Sequence, residues 1–407
     1  LGDLHYQTAN TYQALGNYFY ETQQNYHQGY AYHQAALDIR QKLLDINHPQ
    51  IATSYLNMAT YYEVMNYYDQ ELDYLERALQ IQLDILGSVH KDVARSYYLL
   101  ANRYRTNSAL DKAVGYYLRV LAIYQQLQQQ ISPEAASTYL ALADCYRQQG
   151  NTDLEWQALV KSQQILEQVL GKAHFNLSPV LLKKGDYYLR QARYDSTLYF
   201  YQKALRINQQ QLGDQHYAVA EVYDHLAQYA QLTGRQFKEL DYLQRALDIR
   251  KQEFERIQEE QANAHASYLV DNRQPNRSVG QQLHNSYCQL SDYYRRQGDY
   301  QDALAYIQWA LATVCESLKG QTEDWKRNPS TKDLTSNVAW LGTLERKARL
   351  LLLIYEAEMG GDIHLNMAYE TYRQGIQVIN QLRTVIQSTK ARQALRLLST
   401  PIYEGQR

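Results

Sequence analysis

Small, apolar and aromatic positions recur along this chain at a fixed spacing. Residues 55–86 carry apolar and small side chains three and four positions apart, which is typical of two helices that each bury one face. Shifted by 42 residues the pattern returns, with Ala78 matched by Ala36, Val120, Ser162, Ala204 and Ala246, Ala59 by Ala101, Ala143, Gly185 and Ala227, and Tyr62 by Tyr104, Tyr146 and Tyr188. A fixed period of this length predicts an array of helical hairpins.

The pattern also divides the chain, because the spacing lengthens after the sixth copy. It predicts repeats 1–6 over 1–256, an inserted loop over 257–282, repeat 7 over 283–318, a second inserted loop over 319–338, and an irregular repeat 8 with a short C-terminal helix over 339–407. Long insertions in repeat arrays often lie on the binding face. Surface loops also lengthen at little cost in free energy, so both interpretations of the insertions stay open.

The repeats resemble a known family. Leu142 and Ala143, followed by Tyr146 and Gly150, form a pattern similar to the tetratricopeptide repeat. The 42-residue period and a histidine in the link, as at His48, are similar to the kinesin light chain type. The resemblance implies an all-α, right-handed superhelix of about eight helical hairpins with a C-terminal helical end piece.

The last part of the chain carries a second, shorter resemblance. Residues 372–404 are similar to the junction between tetratricopeptide repeats and a CHAT domain, a caspase-like protease module of bacteria. The resemblance implies that any protease module lies beyond Arg407. No catalytic residue is carried onto this chain by it.

Charge and apolar runs exclude other classes of protein. Lys and Arg number 41 against 43 Asp and Glu, so the chain lacks the basic excess typical of nucleic-acid binders. No apolar run reaches the ~20 residues that cross a bilayer, and no secretory leader is visible. We therefore expect neither nucleic acid nor a membrane as a partner, and a cytoplasmic location. Three separated cysteines predict no disulfide framework.

Tyrosine is unusually frequent, with 40 Tyr against 5 Phe. Many of the tyrosines follow the repeat, at positions where a ring packs between helices and its hydroxyl reaches the edge. The alternative is an adhesive aromatic surface, indicated by pairs such as Tyr67–Tyr68 and Tyr116–Tyr117. Packing is the favoured interpretation.

Candidate catalytic and metal-binding residues are few. His48, His90, His174 and His216 stand one or two repeats apart, too far for one zinc ion, so structural roles in the links are predicted. Cys288 follows His284 by one helical turn, but nothing in the sequence supplies an oxyanion hole. The sequence thus predicts no enzyme, metal or cofactor in this chain.

The resemblance places a partner-binding groove along the first helix of each repeat. The candidate residues are Asn57, Asn102, Arg105, Asp144, Arg147, Asp186, Arg190, Asp292, Arg295 and Arg296. Alternating carboxylates and guanidinium groups suit the polar groups of an extended peptide. The alternative is that each Asp pairs with an Arg three or four residues on. Kinesin light chain type repeats often place Asn two positions before the small residue, and here only Asn57 matches, which favours a folded or intramolecular partner.

The predicted function is a protein-interaction scaffold. It would dock a protein or peptide partner and position or restrain an effector, including a CHAT protease beyond this chain. The alternative is a structural or assembly protein that self-associates into a homo-oligomer through a tyrosine-rich surface.

Overall fold

The computed structural model describes residues 5–21, 26–65, 67–265, 277–318, 324–330, 340–357, 359 and 361–385. Every regular element within these ranges is a helix, which confirms the all-α fold and the eight helical hairpins. The chain forms two compact units that divide between Asp214 and Gln215. None of the helices described is both long and apolar enough to cross a membrane.

The first unit contains five hairpins. Its helices are α1 (Tyr6–Glu21), α2 (Tyr26–Leu43), α3 (Pro49–Val64), α4 (Tyr68–Leu86), α5 (Lys91–Thr106), α6 (Leu110–Gln126), α7 (Pro133–Gln148), α8 (Thr152–Leu170), α9 (Ser178–Arg190) and α10 (Tyr194–Leu212), with a 3-10 turn at Phe175–Leu177. The second helices of successive hairpins begin one sequence period apart, from Tyr68 through Leu110 and Thr152 to Tyr194.

The second unit contains three longer and less regular hairpins. Its helices are α11 (Tyr217–Leu232), α12 (Gln236–His265), α13 (Arg277–Gln297), α14 (Tyr300–Val314), α15 (Trp340–Glu356) and α16 (Asp362–Val385), with a 3-10 turn at Glu316–Leu318. The loop predicted over 257–282 is wrong at both ends, because α12 continues to His265 and α13 begins at Arg277. The sequence between them lies outside the described residues. Much of the loop predicted over 319–338 also lies outside the described residues, as does everything after residue 385, where the short C-terminal helix is predicted.

The link histidines are helix N-caps. His48, His90, His174 and His216 each have extended backbone, and each Nδ1 accepts a hydrogen bond from the backbone N–H two residues further on, at 3.1–3.2 Å. Such a bond satisfies one of the free N–H groups at a helix start. Ser132 takes the same role at the start of α7.

Helix packing explains the small and aromatic series. Ala59 and Ala78 are both buried, and a Cβ on Gly185 would lie 2.2 Å from the ring of Tyr201. Rings stack within 14° of parallel between the two helices of a hairpin in the pairs Phe19–Tyr32, Tyr62–Tyr74, Tyr104–Tyr116, Tyr188–Phe200 and Tyr294–Tyr306. Many tyrosines therefore hold hairpins together.

Candidate partner-binding surface

Two of the predicted residues share one buried tyrosine. Tyr117 on α6 is fully buried, and its hydroxyl donates to Asn102 Oδ1 at 2.6 Å. Arg105 Nε donates to the same hydroxyl oxygen at 3.4 Å. Burial raises the pKa of Tyr117, which keeps the hydroxyl protonated as a donor. Asn102 and Arg105 thus fix α5 against α6 inside their own hairpin.

The arrangement returns two hairpins later. Tyr201 is fully buried, and its hydroxyl donates to Asp186 Oδ1 at 2.6 Å. Tyr201 follows Tyr117 by two sequence periods, as Asp186 follows Asn102. Both predicted groove residues, Asn102 and Asp186, are therefore acceptors for a core tyrosine.

Asp144 does not form an ion pair with the arginine on its own helix. Its carboxylate instead accepts from Lys183 Nζ at 2.6 Å, a contact from α7 to α9 across consecutive hairpins. Arg147 is exposed and forms no ion pair with any residue that the structure describes. The predicted pairing of Asp144 with Arg147 is thus wrong.

A second set of ion pairs joins consecutive hairpins. Glu71, Glu155 and Glu239 are all buried near the start of a second helix, and each stands two sequence periods from the next. Their partners lie on the first helix of the next hairpin and are Arg103, Arg190 and Arg296, respectively. Two predicted groove residues, Arg190 and Arg296, are therefore anchored to buried carboxylates. Removing either arginine would leave its buried glutamate without this partner.

Asn57 lies at the contact between the first two hairpins. Its amide nitrogen is 3.4 Å from His33 Nδ1. Burial, with the nearby charge of Arg40, lowers the pKa of His33 to about 4, so the ring is neutral at pH 7.

In the second unit, two of the predicted residues line a cavity. Asp292 Oδ2 lies 3.1 Å from Arg346 Nη1, and its Oδ1 lies 3.7 Å from Arg295 Nε. Asp292 thus forms ion pairs both across hairpins and within its own helix. A cavity of about 270 Å³ lies between α11, α12 and α13, and Asp292 and Arg296 are on its wall. The Oε1 of Gln289, also on this wall, is buried with no hydrogen-bond partner among the described residues.

Most of these partners were not predicted from the sequence. Glu155 and Tyr201 belong to the second helices, whereas the candidates were sought only on the first helices. The available signal was a double period, since Glu71, Glu155 and Glu239 recur in every second repeat, as do Tyr117 and Tyr201. The second to sixth hairpins therefore alternate between two types of buried polar contact.

Cys288 and His284 are close, but neither is activated. His284 Nδ1 donates to the backbone oxygen of Ala310 at 2.8 Å, which leaves Nε2 as an acceptor facing Thr343 Oγ1 at 3.1 Å and Cys288 Sγ at 3.6 Å. Burial lowers the pKa of His284 and raises the pKa of the Cys288 thiol to about 11. The thiolate is the reactive form, so this pair is a core contact rather than a nucleophile with its base.

Comparison with known proteins identifies the repeats. Family models of the tetratricopeptide repeat match residues 7–84 and 176–252, and a further such model matches residues 285–319. Over these three stretches the chain therefore matches the tetratricopeptide repeat. A search of curated proteins found no match.

Three solved structures illustrate the proteins with a similar chain course. The apo form of RapI is 16% identical over 75% of this chain and 97% of its own, with a TM-score of 0.50. BtubC (BKLC) from P. vanneervenii is 17% identical over 60% of this chain and 94% of its own, with a TM-score of 0.48. A putative kinesin light chain with TPR-like repeats from Podosopora anserina is 20% identical over 51% of this chain and 98% of its own, with a TM-score of 0.44. The likeness to RapI shows the fold alone.

Proposed function

We propose that this chain is a protein-interaction scaffold that binds a protein partner at the cavity between α11, α12 and α13. Tetratricopeptide repeats generally mediate contacts between proteins. The observation that carries the proposal is the Gln289 amide, which lines the cavity and has a buried oxygen that accepts no hydrogen bond from any described residue. A buried acceptor without a donor is costly, and a backbone N–H from a partner would satisfy it.

The position of Gln289 supports the same proposal. It stands two residues before Ser291, the small residue of α13, as Asn57 stands two before Ala59. The resemblance to kinesin light chain type repeats gives that position an amide that holds the ligand backbone. Gln289 supplies an amide there. The carboxylate of Asp292 and the guanidinium of Arg296 are already paired and would orient a polar partner without long side chains being newly ordered.

The test compares two glutamine variants of the full chain. The unmodified chain and both variants serve as baits that capture proteins from an extract. Each captured protein is then purified, and its binding to all three chains is measured by titration. Gln289→Leu should weaken binding of the captured protein about 10-fold or more, because one buried hydrogen bond is lost. Gln244→Leu, at an exposed position of α12 outside the cavity wall, should leave binding unchanged. Equal binding by both variants would exclude this cavity as the docking site.

We further propose that docking positions or restrains an effector. The resemblance of residues 372–404 to a CHAT junction supports a caspase-like protease as that effector. The coding sequence that follows Arg407 tests this: we expect a protease module with its own Cys and His, and a stop codon there would oppose it.

The alternative is assembly through exposed tyrosines. Tyr67, Tyr199 and Tyr217 are 51%, 55% and 56% exposed, outside the stacked pairs of the hairpins. Sedimentation velocity over a range of concentrations tests this alternative. An assembly protein should gain mass with concentration, and Tyr199→Ser should reduce the gain.

A further inference from the structure

A second cavity lies at the other end of the chain, between α1, α2 and α3. Its volume is about 340 Å³, within the range of small-ligand pockets. Its polar wall consists of Asn10, Gln13, Asn17, Gln50, Thr53 and Arg40, and no residue on the wall is acidic. Asn10, Asn17 and Thr53 are exposed, so the cavity opens to solvent.

Arg40 is the one charged group on this wall, and it is only 3% exposed. Its Nη1 donates to Ser54 Oγ at 2.7 Å and its Nη2 to Asn10 Oδ1 at 2.9 Å. Both acceptors are neutral. No carboxylate among the described residues forms an ion pair with Arg40, although a buried charge is normally paired. A guanidinium group has five N–H donors, so these two bonds leave donors to spare.

The second unit contains a matched arginine that is paired with a carboxylate. Arg250 Nη1 donates to Ser286 Oγ at 2.6 Å, as Arg40 Nη1 donates to Ser54. Arg250 also holds the Asp224 carboxylate with both terminal nitrogens, Nη1 at 3.2 Å and Nη2 at 2.5 Å. This two-pronged contact is the geometry that guanidinium groups prefer with carboxylates.

Aromatic pairs show that the two arginines occupy the same place in their hairpins. Tyr12 packs on Tyr32 with ring centroids 5.9 Å apart, and Tyr223 packs on Tyr242 at 6.0 Å. Arg40 and Arg250 each stand eight residues after the second ring of the pair. The residue after the first ring is Asp224 in one hairpin and Gln13 in the other. The first hairpin therefore has a neutral amide where the sixth has the counter-ion.

We propose that the cavity at Arg40 binds a carboxylate group, which takes the place that Asp224 fills beside Arg250. The carboxylate comes from a small organic acid or from an acidic side chain of a partner protein. Asn10, Gln50 and Thr53 supply further hydrogen-bonding groups around it. Burial lowers the pKa of the Arg40 guanidinium, which agrees with a charge that lacks its partner.

The experiment is a titration of residues 1–407 at constant ionic strength. The probes are sodium acetate, sodium succinate and an acetylated, amidated Gly-Glu-Gly peptide, each against sodium chloride, with calorimetry and thermal unfolding as measurements. Acetate or succinate binding identifies a small acid as the source, and binding of the peptide alone identifies an acidic side chain. A ligand that binds only the folded state raises the Tm.

Three variants decide the result. Gln13→Glu supplies the carboxylate from within the chain, so it should raise the Tm without ligand and abolish the ligand-dependent rise. Arg40→Met should weaken binding about 10- to 100-fold, as expected for hydrogen bonds to a charged group. Asp3→Asn is the control: it removes an acidic residue that lies outside the described ranges, and it should change neither the Tm nor the binding of the probes. The proposal is overturned if no probe binds more tightly than chloride, or if Gln13→Glu binds the probes as the unmodified chain does.

Discussion

Among the residues that the structure describes, each unit buries one lysine, and the two units accommodate it differently. In the first unit, Lys184 donates to Gln163 Oε1 at 2.6 Å, and its ammonium lies 4.7 Å from the ring centre of Trp156. In the second unit, Lys347 is completely buried; its Nζ donates to Gln308 Oε1 at 2.9 Å and to the backbone oxygen of Arg327. Burial lowers the pKa of Lys184 to about 8 and that of Lys347 to about 7.

The difference is whether the repeat helices alone supply the hydrogen-bond partners of the buried lysine. Lys184 is accommodated entirely by neighbouring repeat helices, since Gln163 and Trp156 both lie on α8. Lys347 needs residues 324–330, which belong to no helix of the hairpins, to supply a carbonyl oxygen. That segment is held in turn by a 3.0 Å bond from Asn328 Nδ2 to Thr371 Oγ1. An irregular hairpin thus needs an added segment to satisfy its polar core.

The largest expected effect concerns pH and Lys347. Its folded pKa of about 7 lies below its ordinary value of 10.5, so between these values the unfolded chain binds more protons. The contribution of Lys347 is fully present above pH 10.5 and is lost as the pH falls through 7. Between pH 7 and 10, the stability of the unmodified chain relative to Lys347→Met should rise by about 3–4 kcal/mol.

Urea unfolding followed by fluorescence measures this difference. Trp309, Trp325 and Trp340 report on the second unit, and Trp156 reports on the first. A constant difference between the two proteins across this pH range would show that Lys347 titrates normally.

The next effect tests the aromatic contact of Lys184. Trp156→Leu removes a ring that contacts both the ammonium and Tyr187, with ring centroids of the aromatic pair 4.9 Å apart. The expected loss of stability is about 2–4 kcal/mol. Trp309→Leu is the matched control, because Trp309 packs on Tyr287 and Tyr306 with no described cation over its ring. Circular dichroism during urea unfolding measures the loss of stability in both variants. An equal loss in Trp309→Leu would show that the contact between Lys184 and Trp156 does not contribute to stability.

A smaller effect concerns the segment that covers Lys347. Asn328→Ala removes the bond to Thr371 and should cost about 1 kcal/mol in the second unit. Arg327→Ala keeps the carbonyl oxygen that Lys347 uses and loses only an exposed pair with Asp324, so its cost should stay below about 0.5 kcal/mol. The reverse order of these two losses in urea unfolding would show that the segment does not hold the lysine.

The smallest effect on stability is expected at Arg147. Arg147→Glu should change the free energy of unfolding by less than about 0.5 kcal/mol, because this exposed arginine holds no described partner. Urea unfolding checks this expectation, and a loss above about 1 kcal/mol would reveal a structural contact.

The period of the sequence predicted the fold because helix contacts are local and repeated. Ala59 and Ala78 are small where helices approach closely, and Tyr62 stacks on Tyr74 in its own hairpin. Such contacts join residues a few turns apart, so their spacing is visible in the chain. The extent of α12 was not predicted, since charged residues after Phe254 resemble a loop as much as an exposed helix surface.

The candidate surface was predicted less well, and the reason is geometric. Sequence spacing placed Asp144 near Arg147 on one helix, but Lys183, 39 residues away, comes closer in the folded chain. Likewise, Arg190 is held by Glu155 on the preceding hairpin. Which side chains meet across hairpins depends on helix rotation and rotamer, and a one-dimensional pattern contains neither.

The sequence by itself determined that this protein is an array of helical hairpins with structural histidines in the links, because helix periodicity acts over a few residues. Only the tertiary structure decided which buried arginine has a carboxylate partner among the described residues. Arg40 and Arg250 have the same hairpin position, yet one faces a cavity and the other contacts a carboxylate. That distinction depends on side chains from three helices meeting at one point, so it becomes visible only when the helices pack.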